Sequence, residues 1–115
     1  MVINKMIEDL VTVIIPVYKK VEYLQDSLNS VVNQTYGNIE IIIVDDGSKN
    51  HHKIIRICNN FEKKIKIIKF EKNKGVSAAL NAAILKSKGK YINWLSHDDL
   101  FLPSKIEEQG KIFSG

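Results

Sequence analysis

Apolar residues come along this chain in short runs whose spacing alternates between two kinds. Val11 to Val17 is a continuous, largely β-branched stretch in which Thr12 is the one polar member. That is the pattern of a strand covered on both faces, as in a parallel sheet. Pro16, near its end, is expected to stop further pairing. From Val21 to Gln34 the apolar residues Val21, Leu24, Leu28, Val31 and Val32 fall at helical spacing and leave Glu22, Gln25, Asp26 and Asn29 outward, which predicts an amphipathic helix. Gly37 and Asn38 break the chain before a second buried strand, Ile39 to Val44, which ends on the turn signal Asp45-Asp46-Gly47-Ser48.

The alternation then repeats. Lys53 to Phe61 carries Ile54, Ile55, Ile57, Cys58 and Phe61 on a broad face, and Ile65 to Phe70 reads as a third strand. Asn73-Lys74-Gly75 is a loop, Ser77 is placed to cap or open an Ala-rich helix from Ala78 to Leu85, and Lys88-Gly89-Lys90 stops it before a fourth strand, Tyr91 to Leu95. Pro103 is placed to open a last short helix, Ser104 to Phe113. Four strands alternating with helices predict an α/β fold: a mostly parallel sheet of about four strands with helices on both faces. Residues 1–10 read as an N-terminal extension and 11–115 as one unit.

Composition narrows the class without naming it. The chain has 115 residues, 44% hydrophobic and 26% charged, with a net charge of +4. It has enough apolar surface for a single core, which excludes a disordered chain or a disulfide-built miniature. Cys58 stands alone and no leader-like segment opens the chain, so the expected compartment is the cytoplasm. The apolar runs are far shorter than the roughly 20 residues that cross a bilayer. Lys63, Lys64, Lys66, Lys69, Lys72 and Lys74 are concentrated in one stretch, read as a solvated, edge-protecting face. No zinc-finger, RNP-like or helix-turn-helix signal accompanies them, so no nucleic acid is expected as a partner.

In open parallel sheets ligands gather outside the carboxyl ends of the strands, where the strand order reverses. That rule selects Pro16 to Tyr18, Asp45 to Ser48, Glu71 to Gly75 and Ser96 to Asp99. Asp45-Asp46-Gly47-Ser48 is what any tight strand-to-helix turn uses, and equally what accepts hydrogen bonds from a base imide or ribose hydroxyl; of the pair, Asp46 is expected to face the crevice. Asp98 and Asp99 repel one another as neighbours: either one caps a turn, or they supply oxygens to Mg²⁺ or Mn²⁺. His97 reads as a polar neighbour of phosphates or a loop residue, and His51-His52 as exposed. Tyr18 either packs or lies along a planar base, whereas Tyr91 and Trp94 are expected to pack the fourth strand against a helix, and Cys58 to be inert core. Neither a Gly-x-Gly-x-x-Gly fingerprint nor a phosphate loop of the Gly-Lys-Ser/Thr type is present.

Four segments together, Val11–Tyr18, Glu40–Ser48, Asn73–Asn81 and Leu95–Leu100, resemble the family 2 glycosyltransferases, inverting enzymes of the GT-A fold. The resemblance covers nearly the whole chain. It implies a nucleotide-diphosphate sugar donor, with Pro16, Val17 and Tyr18 lining the nucleoside pocket and Asp46, beside Asp45, recognising the base. Gly75, Ser96 and His97 then fall on the donor side, and Asp98, the last residue of the family's Asp-x-Asp motif, binds Mn²⁺ or Mg²⁺ and the diphosphate. Ser96 stands where many members have the first Asp of that motif. The family's acceptor-binding half and catalytic base lie in further sequence, beyond Gly115. The expectation is therefore the donor half of a transferase that acts on a saccharide or lipid-linked acceptor, located in the cytoplasm or at the inner membrane face. Such a half is expected to self-associate or to be modestly stable, and not to transfer sugar alone. A non-catalytic nucleotide-sugar or protein-binding module stays open as the competing class. A phospho-receiver domain would need an acidic pair where Pro16-Val17-Tyr18 stands.

Overall fold

The computed structural model describes residues 9–19, 21–33, 37–62 and 65–95. They form β1 (Val11–Val17), a 3-10 turn (Val21–Tyr23), α1 (Leu24–Val32), β2 (Ile39–Asp46), α2 (His51–Cys58), β3 (Ile65–Phe70), α3 (Val76–Lys86) and β4 (Tyr91–Trp94). The strands make one sheet in the order β3-β2-β1-β4, with every neighbouring pair parallel. The α/β class expected from the sequence is the class observed. The expected helix from Ser104 to Phe113 lies outside the described residues.

Residue alternation along the strands divides the core into two layers. Val11, Val13, Ile15 and Val17 of β1, with Ile39, Ile41 and Ile43 of β2, pack under Leu24, Leu28 and Val31 of α1 and Ile54 and Cys58 of α2. Ile14, Ile42 and Val44 point to the opposite face and meet Ala79 and Ala83 of α3. Small residues at those two α3 positions let the helix backbone sit close to the sheet. The chain adds β2 and β3 in one direction with α1 and α2 on one face, then crosses back to β4 with α3 on the other. A constant crossover hand requires that switch of face. The direction of strand addition therefore reverses between β1 and β4.

Several boundaries depart from the hydrophobic pattern, each for a hydrogen-bonding reason. Pro16 does not end β1, because it is still paired in register with Val44. The amides of odd-numbered β1 residues face β2, as Val11 N–H does in donating to the Asn38 carbonyl, whereas the even positions face β4, as Leu10 and Ile14 do through their carbonyls. The N–H that proline lacks is therefore missing only on the β4 side, and there β4 pairs with β1 only as far as Ile14. β2 runs two residues further than its apolar run because Asp45 and Asp46 pair with Lys69 and Phe70 of β3. α3 begins at Val76, ahead of Ser77, and its N-cap is Gly75.

α3 packs on β2 and β1, and on its face of the sheet Trp94 stays 50% exposed. Tyr91 packs against the larger core cluster, whereas Trp94, expected to pack against a helix, does not bury. Cys58 is buried, and that burial pushes its thiol up to about 11, so it holds little thiolate near neutrality. Among the described residues no helix is long and apolar enough to cross a membrane.

The amino-terminal edge of the sheet is tied by one carboxylate. Glu40 accepts from the Thr12 hydroxyl at 2.8 Å, the Lys66 ammonium at 2.7 Å and the Lys88 backbone N–H at 2.8 Å. Thr12 in turn accepts from Gly89 N–H at 3.0 Å, so the turn that launches β4 is fastened to β1 and β2. Lys66 is thus an ion-pair partner and not part of a merely solvated lysine face. Burial pushes the Glu40 carboxyl upward, but the hydrogen bonds from Lys66, Lys88 and Thr12 and the Lys66 charge outweigh it and hold the carboxyl below its ordinary value.

A depressed folded-state value makes Glu40 stabilising above the unfolded carboxyl range near pH 4.3, and that contribution fades as pH falls through the lower folded value. Glu40→Ala should cost about 1–3 kcal/mol at pH 7 by removing the acceptor of the buried Thr12 hydroxyl and of the more exposed Lys66 and Lys88 donors. Urea denaturation of the variant should also show a smaller loss of stability between pH 6 and pH 3 than the parent does.

Candidate functional site

The carboxyl ends of β1 and β2 are close-packed backbone from which a short stretch of side chains emerges. Pro16 and Val17 are both buried, and Val17 is part of the core, so neither offers its side chain to a ligand. Tyr18 is the first residue past the strand to open, 41% exposed, with the Lys19 ammonium 5.4 Å from its ring centroid. Facing them across the strand ends is the turn after β2. Tyr18, Lys19, Gly47, Ser48, Lys49 and Asn50 line a cleft of ≈ 360 Å³, within the ordinary size range for small-molecule sites.

The two adjacent carboxylates that end β2 lie behind that cleft and do different work. Asp45 is fully buried; one oxygen accepts the Ser48 N–H at 2.9 Å, a side-chain turn that Asp favours. Its other oxygen lies 2.7 Å from His51 Nδ1. An ionised carboxylate only accepts, so Nδ1 carries the hydrogen. The sequence reading of His51 as an exposed residue does not hold: its side chain is 25% exposed and committed to Asp45.

Asp46 turns away from the cleft toward the loop after β3. It is 4% exposed, accepting from Lys74 N–H at 2.7 Å through Oδ1, and from Asn73 Nδ2 and Gly75 N–H, both at 2.9 Å, through Oδ2. Of the roughly four acceptor positions of a carboxylate, one on Oδ1 is left. The expectation that Asp46 faces the crevice is thus corrected: the 73–75 loop closes over it. These bonds also set the start of α3, where a negative charge suits the helix dipole.

Two glycines make the interlock possible. Gly47 has φ +74°, and a side-chain carbon there would overlap the Lys72 and Asn73 backbone. Gly75, expected as a donor-side residue, has φ +94° and serves as the bend that aims its N–H at Asp46. Lys74 Nζ sits 4.8 Å from the Phe70 ring centroid, outside the group of residues that line the cleft.

The sequence found Tyr18 and the Asp45-Asp46 turn but not Lys19, Lys49 or Asn50. The signal available for the lysines was their position, directly past one strand end and within the turn after the other. Ser96, His97 and Asp98 lie outside the described residues. Leu95, the last residue before them, donates its N–H to the Ile14 carbonyl, one step past the Ile14–Trp94 pair. Among the described residues no group of three His, Cys, Asp or Glu side chains converges as a cation site. Asp45 and Asp46 direct their oxygens at N–H donors, so the described residues alone do not fit a divalent ion.

Comparison with known proteins adds a family to this geometry. The family model described as glycosyl transferase family 2 matches residues 12–114. An uncharacterised glycosyltransferase of Rickettsia conorii is 44% identical over 105 residues, covering 91% of this chain and 17% of the relative. Among solved structures, a mannosyltransferase from Pyrobaculum calidifontis in complex with GDP-Man and Mn²⁺ superposes with a TM-score of 0.79 at 18% identity, covering 97% of this chain and 37% of that one. TarS of S. aureus in complex with UDP-GlcNAc superposes at 0.74 with 23% identity, covering 90% and 30%. The chain spans 15–32% of the length of its Rickettsia relatives.

If Asp46 is what fastens the 73–75 loop, Asp46→Ala should destabilise the protein by about 1–3 kcal/mol, since it strands donors that are paired in the native state. Native-state hydrogen exchange should show the Lys74 and Gly75 amides losing protection in that variant while those in the middle of β1 keep theirs.

Proposed function

The chain belongs to glycosyl transferase family 2, and on that premise we propose that it supplies the donor side of an inverting transferase that moves a sugar from a nucleotide-diphosphate sugar to an acceptor hydroxyl. The observation that supports this most directly is the cleft itself: an exposed aromatic ring and two lysines held over the carboxyl ends of parallel strands.

In this reading Tyr18 lies along the base, Lys19 and Lys49 meet the diphosphate, and Ser48 and Asn50 supply neutral polar contacts. Asp46 contributes mainly by fixing the 73–75 loop, and a base imide would reach it only at the remaining position on Oδ1. The acceptor oxygen attacks the anomeric carbon in line, the bond from that carbon to the diphosphate oxygen breaks, and the leaving diphosphate keeps the electron pair. The acceptor proton passes to a base, and none of the described side chains is assigned that role. Lysine charge in a cleft stabilises the leaving group as its charge develops.

The complex of the Pyrobaculum mannosyltransferase with Mn²⁺ supports divalent-metal use in this fold. We assign Asp98 as the carboxylate that would hold Mn²⁺ or Mg²⁺, since hard oxygen ligands suit those ions. When bound, such an ion supplies positive charge against a diphosphate. Ser96 and His97, neighbours of Asp98 in the sequence, are assigned with it to the donor side. The acceptor is proposed as a saccharide or lipid-linked sugar, with the reaction on the cytoplasmic side of a membrane.

Calorimetry and thermal shift test this with the uridine, guanosine and thymidine diphosphates. One of them should bind and, at about 100 times its Kd, raise stability by about 2.7 kcal/mol; no binding of any at millimolar concentration would contradict the donor-site reading. Tyr18→Ala should weaken the nucleotide roughly tenfold, in line with the value of base–aromatic stacking. For the metal, Asp98→Asn should remove the Mn²⁺-dependent part of nucleotide affinity and spare the metal-free part. An Asp98→Asn protein whose affinity still rises with Mn²⁺ as in the parent would place the ion elsewhere.

A further inference from the structure

Of the two buried carboxylates that end β2, Asp45 is the one bonded to the cleft wall, and one side chain partners it. Asp45 is fully buried, and its Oδ1 takes the N–H of Ser48, a residue of the cleft wall. Its charge therefore lies a single hydrogen bond behind the surface at which a diphosphate would arrive. Burial strengthens the field of such a charge, because little water screens it. Left to itself it would repel an anionic ligand and oppose the attraction of Lys19 and Lys49.

The second oxygen, Oδ2, is held at 2.7 Å by His51 Nδ1, on the first residue of α2. We propose that His51 is a positioning residue of the donor cleft. It draws the Asp45 carboxylate toward α2, offsets its charge through a charge-assisted hydrogen bond, and so keeps the Gly47–Asn50 wall in the form that admits a diphosphate. His51 acts through Asp45 and the wall. The inference rests on the donor-site reading above and adds to it a residue that hydrophobic spacing does not single out.

The role has a signature that mere structural support lacks, because it depends on ligand charge. A variant that only loosened the fold would weaken neutral and charged ligands alike, whereas exposing the cleft to an uncompensated Asp45 would penalise each added phosphate. The full chain can be titrated with the nucleoside, its monophosphate and its diphosphate, in the uridine and guanosine series, by calorimetry without metal. Two substitutions differ in where they put a donor. His51→Asn places its amide nitrogen where Nδ1 stands, and His51→Gln places it where Nε2 stands, beyond the reach of Asp45.

In the parent, affinity should rise from nucleoside to diphosphate. His51→Asn should keep that rise within about threefold, and His51→Gln should lose at least tenfold in diphosphate affinity while nucleoside affinity changes less than threefold. Circular dichroism fixes the folded fraction of each variant, and if His51→Gln does not fold, His51→Leu provides the same comparison. An equal loss for nucleoside and diphosphate, or no loss, would overturn the role of His51 while leaving the donor site standing. A parent protein that binds none of the ligands would overturn both.

Discussion

The organisation of the carboxyl end of this sheet depends on one carboxylate. Asp46 closes β2 and binds three donors from a loop 27 to 29 residues further along the chain. Two of those donors are backbone amides just before α3, so the bonds fix both the loop after β3 and the point at which the third helix starts. Without an acceptor there, the Lys74 and Gly75 amides would lose their partner, and the Gly47 turn would lose the backbone against which it packs. The turn could not then present Ser48, Lys49 and Asn50 as one wall. Charge-assisted hydrogen bonds to a nearly buried carboxylate are among the stronger polar interactions available to a fold.

That clamp works because the sheet around it is covered on both faces. β1 and β2 carry a filled core on each side, α1 and α2 on one and α3 on the other. Glu40 does at the amino-terminal edge what Asp46 does at the carboxyl edge, binding the turn before β4. Each turn flanking α3 is thus held to β2 by a carboxylate, one at each end of the strand. The cleft then sits at the ends of two buried strands, and its lining residues follow directly or within a few residues on β1 and β2. Sites built in this way hold their groups more closely in place than sites on long loops do.

The layered architecture was legible in the sequence because burial writes itself into hydrophobic spacing. The β-branched runs at Val11–Val17 and Ile39–Val44 could be read as strands covered on both faces, and Ile65–Phe70 was located to the residue. Tyr18 and the Asp45-Asp46 turn followed from the rule that ligands gather at strand ends. What the spacing does not encode is which polar groups find each other. The link from Asp46 to Asn73–Gly75 and the pairing of Asp45 with His51 are tertiary contacts between polar residues, which leave no periodicity. Pro16 misled for a related reason: whether a missing N–H ends a strand depends on which neighbour it would have faced. Trp94 misled because its cover depends on where α3 lies, over β1 and β2.

The central claim is that nucleotide binds between Tyr18 and the turn after β2. The most direct measurement is a residue-resolved one: amide chemical-shift mapping of the full chain during titration with a nucleoside diphosphate. The largest shifts should fall on Tyr18, Lys19 and the Gly47–Asn50 turn, with smaller ones on Lys74 and Gly75 transmitted through Asp46. Shifts concentrated instead at the opposite edge of the sheet, around Glu40 and the Lys88–Lys90 turn, with Tyr18 and Ser48 unmoved, would contradict it.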